Sequence, residues 1–273
     1  INMQGVTVKS ESYSYSDAPN HEEKRANRSR VWFIASKRFR AVVGQKKLGF
    51  IWLLLDPVLM SSVYLFVFTV LRASVSGESI FIGISLIRIF QVSIKSGLNA
   101  VNDFSGGIKA ERIRTEVLTN SMIFFRSMDT LFQSLGTVII LLLAYKISIT
   151  GLLMFIILAQ ILGILSEGIG LNLALVSRRI PDIAAAVNYI LMLMFFGSPA
   201  LYPLSVTTGL HREVNEWNPF TYFAESARYF ANLDSSIGDI DPAITTGVLL
   251  FCVILSIRGY AQIDNIRWRV SNW

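Results

Sequence analysis

The sequence predicts an all-α integral membrane protein of six transmembrane helices. An N-terminal in-plane amphipathic helix precedes them, and short re-entrant helices form an outer gate between the fifth and sixth. Three observations carry this expectation. Mean hydropathy is +0.50. Only 16% of the residues are charged and 52% are hydrophobic, where a soluble domain carries about 25% charged residues. Six apolar runs, 50–71, 79–101, 120–145, 151–176, 183–204 and 243–263, reach the length of about 20 residues that a helix needs to cross a bilayer. The runs are long and do not alternate polar with apolar, which excludes transmembrane strands.

Residues 1–28 read as a flexible cytoplasmic tail, polar and rich in Ser, Glu and Arg. The first thirty or so residues lack the apolar core of a cleavable signal peptide, so none is expected. Residues 29–48 follow as an interfacial helix and corner. Wound as a helix, Trp32, Ala35, Phe39, Val42 and Val43 share one face. Arg30 and Lys37 lie opposite, with Arg38 and Arg40 on the flanks. An apolar face edged by cations suits a helix lying flat among lipid headgroups. The corner Lys46-Lys47-Leu48-Gly49 then turns the chain into the membrane domain, residues 49–263. Residues 264–273 read as a cytoplasmic C-terminal tail.

Basic residues orient the chain. Segment 1–49 holds ten Lys or Arg, 102–119 holds three, and 177–182 and 264–273 hold two each; the intervening outer segments hold Arg72, Lys146, Arg212 and Arg228. Cationic loops stay in the cytoplasm, which places both termini there in a multi-pass protein of the cytoplasmic (inner) membrane. The formal charge of +6 is thereby explained by topology, and no nucleic-acid partner is expected. The single cysteine and two separated histidines, His21 and His211, offer no metal site.

Proline breaks the spans at Pro57, Pro199 and Pro203. The run Ser198 to Pro203, SPALYP, is expected to break the fifth span near its outer end. The apolar segment 205–242 behind it, with Trp217-Asn218-Pro219-Phe220, is expected to hold short helices that dip back into the membrane.

Three stretches together carry a resemblance. They are the basic helix running into KKLGFIWLLLDP (46–57), the loop SRRIPDI (177–183), and SPALYP followed by NPFTYFAESARYF (218–230). In that order and topology the chain resembles, over residues 29–263, the membrane permease of polysaccharide-exporting ATP-binding-cassette transporters of the type-2 class. It departs from their pattern in carrying Arg88 and Lys95 in the second span and in the composition of 106–118. The resemblance implies a channel formed with a second copy of the chain, two copies of a separate cassette ATPase beneath it, and a lipid-linked glycan such as O-antigen, capsule or teichoic acid moving outward. The sequence lacks G-x-x-x-x-G-K-[ST], so no cofactor is assigned to this chain and ATP and Mg belong to the partner ATPase. Export of a drug or lipid by a type-2 exporter is the alternative. A membrane-embedded glycan transferase is a further one, although Asp103, Glu111 and Glu116 are accompanied by no ligand set or acidic pair.

Site residues follow from these roles, with no catalytic residue or metal ligand among them. ATPase coupling is assigned to Lys37, Arg38, Arg40, Lys109, Arg112, Arg178 and Arg179, which are basic positions on cytoplasmic elements. The place where the substrate enters is Lys46, Lys47, Leu48 and Gly49, since cations there attract phosphate and glycine lets backbone approach it. The channel wall is Trp52, Tyr64, Phe68, Arg88, Phe90, Phe125 and Phe132, rings being suited to the C–H faces of sugars. The outer gate is Pro199, Tyr202, Pro203, Trp217, Phe220 and Tyr222.

Charges inside spans sort by depth. At about 1.5 Å per residue, Lys95, Glu167, Arg126 and Asp129 fall in the inner half of the membrane and are expected to form one neutralising network between the second, third and fourth spans. Arg88 falls near the midplane, where an unpaired charge costs at least about 2.5–3.5 kcal/mol. It is expected either to face the channel or to pair with Asp56.

Overall fold

The computed structural model describes residues 6–9, 12–15, 21–44, 49, 51–70, 75–100, 113–180 and 182–269. The membrane body is all-helical. Its helices are α1 (His21–Gly44), α2 (Ile51–Val70), α3 (Gly77–Leu98), α4 (Thr115–Leu143), α5 (Ile149–Arg179), α6 (Asp182–Gly197), α7 (Gly209–Glu216), α8 (Pro219–Phe230), α9 (Pro242–Ala261) and α10 (Ile263–Arg269). Short 3-10 turns lie at Leu204–Val206 and Ile237–Asp239. Five helices, α2, α3, α4, α5 and α9, are long and apolar enough to cross a membrane.

The fifth expected span is shorter than its apolar run. α6 stops at Gly197 after 16 residues, because Pro199 supplies no N–H and disfavours helix at the residue before it. The break leaves carbonyls without intrahelical donors. The arch that follows supplies them: Asn215 Nδ2 and His211 Nε2 each lie 2.9 Å from the Gly197 carbonyl, and the Tyr202 hydroxyl donates to Phe196 O at 3.1 Å. Segment 183–204 is therefore a truncated helix joined to a turn.

Both tails differ from their expectation. Helix α1 begins at His21, inside the segment read as a tail, and upstream of it Val6–Lys9 pairs antiparallel with Ser12–Tyr15. At the other end α10 packs back onto the body. Ile263 and Ile266 are fully buried in a cluster with Val117, Leu118 and Leu171, and Thr115 Oγ1 donates to Asp264 at 2.8 Å.

α3 is the central element, buried along most of its length. It touches α5 closely enough that only glycine fits. A Cβ on Gly97 would sit 2.2 Å from the Glu167 carbonyl, and one on Gly170 would sit 2.2 Å from the Ile94 carbonyl. Without a hydrophobic drive between helices in lipid, such backbone proximity is what holds them. The α5–α9 seam repeats the device at Gly259, against the Gly168 carbonyl.

Helix α1 runs along the first half of α4. Val31 packs with the cluster holding Val117, the Trp32 ring lies 5.4 Å from Phe124, and the Phe39 ring lies 5.3 Å from Phe132. The packed face is thus centred on Val31, Ala35 and Phe39, with Trp32 and Val42 exposed. Arg38, expected on the flank, joins the packed side because its guanidinium stacks 4.9 Å over Phe125. α2 then starts level with the middle of α4, where a Cβ on Gly136 would meet the Leu54 carbonyl at 2.2 Å.

Candidate functional site

The turn into α2 is made by Gly49, whose φ of +50° is a conformation that favours glycine. Beside this turn α1, α2, α3 and α4 enclose a cleft of about 490 Å³, lined by Arg38, Asp56, Arg88, Lys95, Arg126, Asp129 and Gln133 together with Leu53, Val92 and Phe125. Helical spacing builds it. On α3, Arg88, Val92, Lys95 and Asn99 recur every three or four residues and share one face; on α4, Phe125, Arg126, Asp129 and Gln133 do the same.

Arg88 and Asp56 meet across α3 and α2. Arg88 Nε donates to Asp56 Oδ2 at 3.0 Å and Nη2 to Oδ1 at 3.3 Å. The two side chains remain 34% and 32% exposed, so Arg88 is paired and faces the cleft at once. Of the two expectations for Arg88, a channel-facing position or a pair with Asp56, the pair is the one seen.

At the floor, Arg126 is buried between two acids. It donates to Asp129 Oδ2 at 2.7 Å and to Glu167 Oε1 at 3.3 Å. Glu167 also accepts from Ser96 Oγ at 2.8 Å and from the Tyr260 hydroxyl at 3.2 Å, and Asp129 accepts from Gln133 at 2.9 Å. A buried charge is tolerated when it is paired and hydrogen-bonded. The expected network therefore forms among Arg126, Asp129 and Glu167. It extends to α9 through Tyr260, and Ser96 and Tyr260 were missed because a hydroxyl in an apolar run gives no signal of its own. Lys95 is a correction. It is exposed into the cleft, and among the described residues it makes no ion pair. It lies on the open side of α3 while Ser96, the next residue, points to Glu167.

The aromatic residues expected on a channel wall are not gathered in one cavity among the described residues. Phe125 lines the charged cleft, and Phe132 packs on Phe39. Tyr64 packs on Phe195 at 5.0 Å, and Phe68 against the main core. Phe90 packs on Phe220 at 6.1 Å and borders a separate apolar groove of about 650 Å³ among α3, α5, α6 and α9. Trp52 is half-buried at the start of α2.

The residues expected at an outer gate cluster in one arch. Pro199 and Pro203 are buried at its start and Tyr202 bonds His211 at 3.0 Å. Phe220 is fully buried, and Tyr222 is buried with its hydroxyl donating to the Glu216 carbonyl, whereas Trp217 is exposed. Asn218 caps α8 through the Phe220 N–H at 3.1 Å, with Pro219 in the first turn. The arch is held by a pair that sequence reading missed. Glu225 and Arg228 are both fully buried and bond at 2.8 Å. Glu225 also accepts from the Leu204 and Ser236 N–H groups at 3.0 and 2.8 Å, and Arg228 Nε reaches Ser79 Oγ on α3 at 2.7 Å. Opposite charges three residues apart in an otherwise apolar helix were the available signal.

Of the residues expected to couple to an ATPase, Lys37 and Arg40 are exposed on α1, Arg38 lines the cleft, and Arg179 is exposed at the end of α5. Lys109, Arg112, Lys46, Lys47, Leu48 and the Arg178 side chain lie outside the described residues.

Comparison with known proteins agrees with this architecture. The chain is 28% identical over 162 residues to an O-antigen export system permease protein of Myxococcus xanthus, an alignment covering 58% of this chain and 62% of that protein. The family model of ABC-2 type transporters matches residues 29–231, from α1 through the corner, the spans and the broken helix to the end of the arch. This chain belongs to the ABC-2 type transporter family, as a multi-pass membrane protein.

Proposed function

We propose that the chain is the permease subunit of an ABC exporter that moves a lipid-linked polysaccharide outward across the cytoplasmic membrane. It acts as a pair of identical chains, both termini in the cytoplasm, on two copies of a separate cassette ATPase. The observation that carries this reading is the family match across α1, the corner and the broken sixth helix. The export function of the Myxococcus xanthus relative supports a glycan as the cargo. The exposed apolar faces of α2 and α6, including Val63, Phe66, Tyr189 and Leu193, suit lipid and a second copy. Lys37, Arg40 and Arg179 are exposed for the ATPase to push on, and Arg38, Lys109, Arg112 and Arg178 are assigned the same role from the sequence. Lys46, Lys47 and Gly49 receive the phosphate end of the cargo at the corner. The test is co-purification: a cassette ATPase expressed with this chain is expected to be retained on it in equal amount. Retention should be lost in Arg178→Glu, Arg179→Glu with membrane insertion unchanged.

A second reading, export of a drug or simple lipid, is favoured by the apolar groove of about 650 Å³ bordered by Phe90, Trp217 and Phe251. ATPase activity stimulated by an apolar compound but indifferent to glycan carrier would select it.

A further inference from the structure

We infer that the apolar groove among α3, α5, α6 and α9 is a site for the acyl chain of a phospholipid of the arch-side leaflet, which stays resident beside α6 with its ester group at Trp217. The chemistry of the walls is the first argument. Ile94 of α3, Leu173 of α5 and Cys252 of α9 line the groove together with Ile190 and Met194 of α6. Three of those helices, α3, α5 and α9, are long and apolar enough to cross a membrane, so the space lies at membrane depth. No charged side chain lines it. Water finds no partners in such a space, and a headgroup would lose its solvation there without return. Hydrocarbon suits it. The protein's own packing leaves the space open. Gly97, Gly170 and Gly259 are pressed against backbone, but a Cβ on Gly247, in the groove wall, would meet nothing within 4 Å. α6 runs along this space and is tied to α3 beside it by Gln91 Nε2, which donates to the Leu191 carbonyl at 2.8 Å. A chain in the groove supplies the contacts that α6 lacks on that side.

Shape and one polar group select the occupant. The groove follows α9 from Gly247 to Leu255, about 12 Å at helical rise. A volume of about 650 Å³ over that length leaves a cross-section of roughly 50 Å², about 8 Å across, which is narrower than the 10–12 Å of a helix with its side chains. A flexible chain fits, and a helix of a second copy does not. Trp217 marks the mouth, because it lines the groove while remaining 66% exposed. Its indole N–H meets no acceptor among the described residues. Tryptophan settles at headgroup level, where the N–H seeks a partner. The ester carbonyl of a phospholipid is an acceptor at the end of a hydrocarbon chain. A phosphate joined directly to the chain, as in an isoprenyl phosphate, would call for a cation, and neither lysine nor arginine lines this site. The inference rests on the chain's place in a membrane and is independent of what the protein exports.

The test uses the purified full chain in nanodiscs of phosphatidylcholine, a small share of which carries a diazirine at the end of one acyl chain. Adducts are mapped by mass spectrometry after irradiation. Val248 and Cys252 are buried, whereas Ile254 and Ile257 on the same helix are exposed. Bulk lipid therefore reaches the second pair, and only a chain in the groove reaches the first. Adducts are expected on both pairs. Gly247→Leu, which fills the space, should abolish those at Val248 and Cys252 and leave those at Ile254. Ile190→Trp, on the exposed edge of α6, should do the same and decides the matter if the first variant is unstable; an unchanged melting temperature checks folding. Trp217→Phe keeps the ring and loses the donor, so groove labelling should fall by about two- to tenfold, the worth of a neutral hydrogen bond. Labelling by an ether-linked phosphatidylcholine should not respond to that change. No adduct at Val248 or Cys252 in the unmodified chain, or adducts indifferent to both filling variants, would overturn the site. Equal groove labelling by a polyisoprenyl phosphate bearing the same diazirine would overturn the acyl assignment, and indifference to Trp217→Phe would overturn the ester contact. With a cassette ATPase bound and turning over ATP, groove labelling is expected to hold. A fall during turnover would overturn residence and make the occupant cargo, as the second reading above requires.

Discussion

Arg88 and Asp56 hold each other through two hydrogen bonds, at 3.0 and 3.3 Å, across the gap between α3 and α2. α2 also packs on α4 where Gly136 meets Leu54, and on the core through Tyr64 and Phe68, while Val63, Phe66 and Val70 face outward. The pair adds a polar tie between α2 and α3 to that packing. It is a third exposed, so its worth is discounted for screening to about 1–2 kcal/mol. Asp56→Asn should lower stability by that amount and Arg88→Gln by a similar one. The double substitution should cost less than the two losses added, which a thermal-unfolding double-mutant cycle reads directly.

The Arg126 network should respond more severely. Arg126 and Glu167 are fully buried, and removing one charge strands the other. Glu167→Ala is expected to cost about 3–5 kcal/mol, seen as loss of assembled protein from the membrane. Tyr260→Phe removes one hydrogen bond to Glu167 and should cost only about 1 kcal/mol. Equal losses in the two variants would contradict the hierarchy.

The arch rests on Glu225 and Arg228. Glu225 ties together Leu204, Arg228 and Ser236, which otherwise belong to separate turns. Glu225→Ala should speed amide exchange at Leu204 and Ser236 and through α8, with a loss of about 3–5 kcal/mol locally. Ser79→Ala removes one acceptor of Arg228 and should cost about 1–3 kcal/mol.

The α5–α9 seam makes a steric prediction. A Cβ on Gly259 would stand 1.8 Å from the Gly168 carbonyl, and backbone cannot yield as a side chain does. Gly259→Ala should destabilise by about 1–3 kcal/mol. Gly247→Ala, with nothing within 4 Å of its Cβ, should be neutral in the same thermal assay.

Much of this was legible in the residues. Hydropathy located the spans to within a few residues, as for 243–263 against Pro242–Ala261, because apolar length is a direct physical demand of the bilayer. Pro199 announced the break in α6. The charges of the second, third and fourth spans foretold pairing, since a lone charge there is too costly. What sequence could not give was rotation about the helix axis. Lys95 and Ser96 are adjacent, yet one faces the cleft and the other Glu167. Helical packing decides that, and depth does not. The same holds for Arg38, drawn onto α4 by the Phe125 ring, and for the aromatic residues Phe90 and Phe125, assigned to one wall and found in two cavities. Helix α10 was hidden because a seven-residue helix with charges looks like a tail until Ile263 and Ile266 find their cluster.

The most direct test of the account is surface glycan per assembled transporter, measured in cells whose own export permease is deleted and which express this chain with its cassette ATPase. The account predicts lectin-detectable glycan at the surface. That signal should vanish when the ATPase is inactivated and fall in Arg88→Ala while the assembled complex remains. Full assembly with ATP turnover but no glycan at the surface would contradict it.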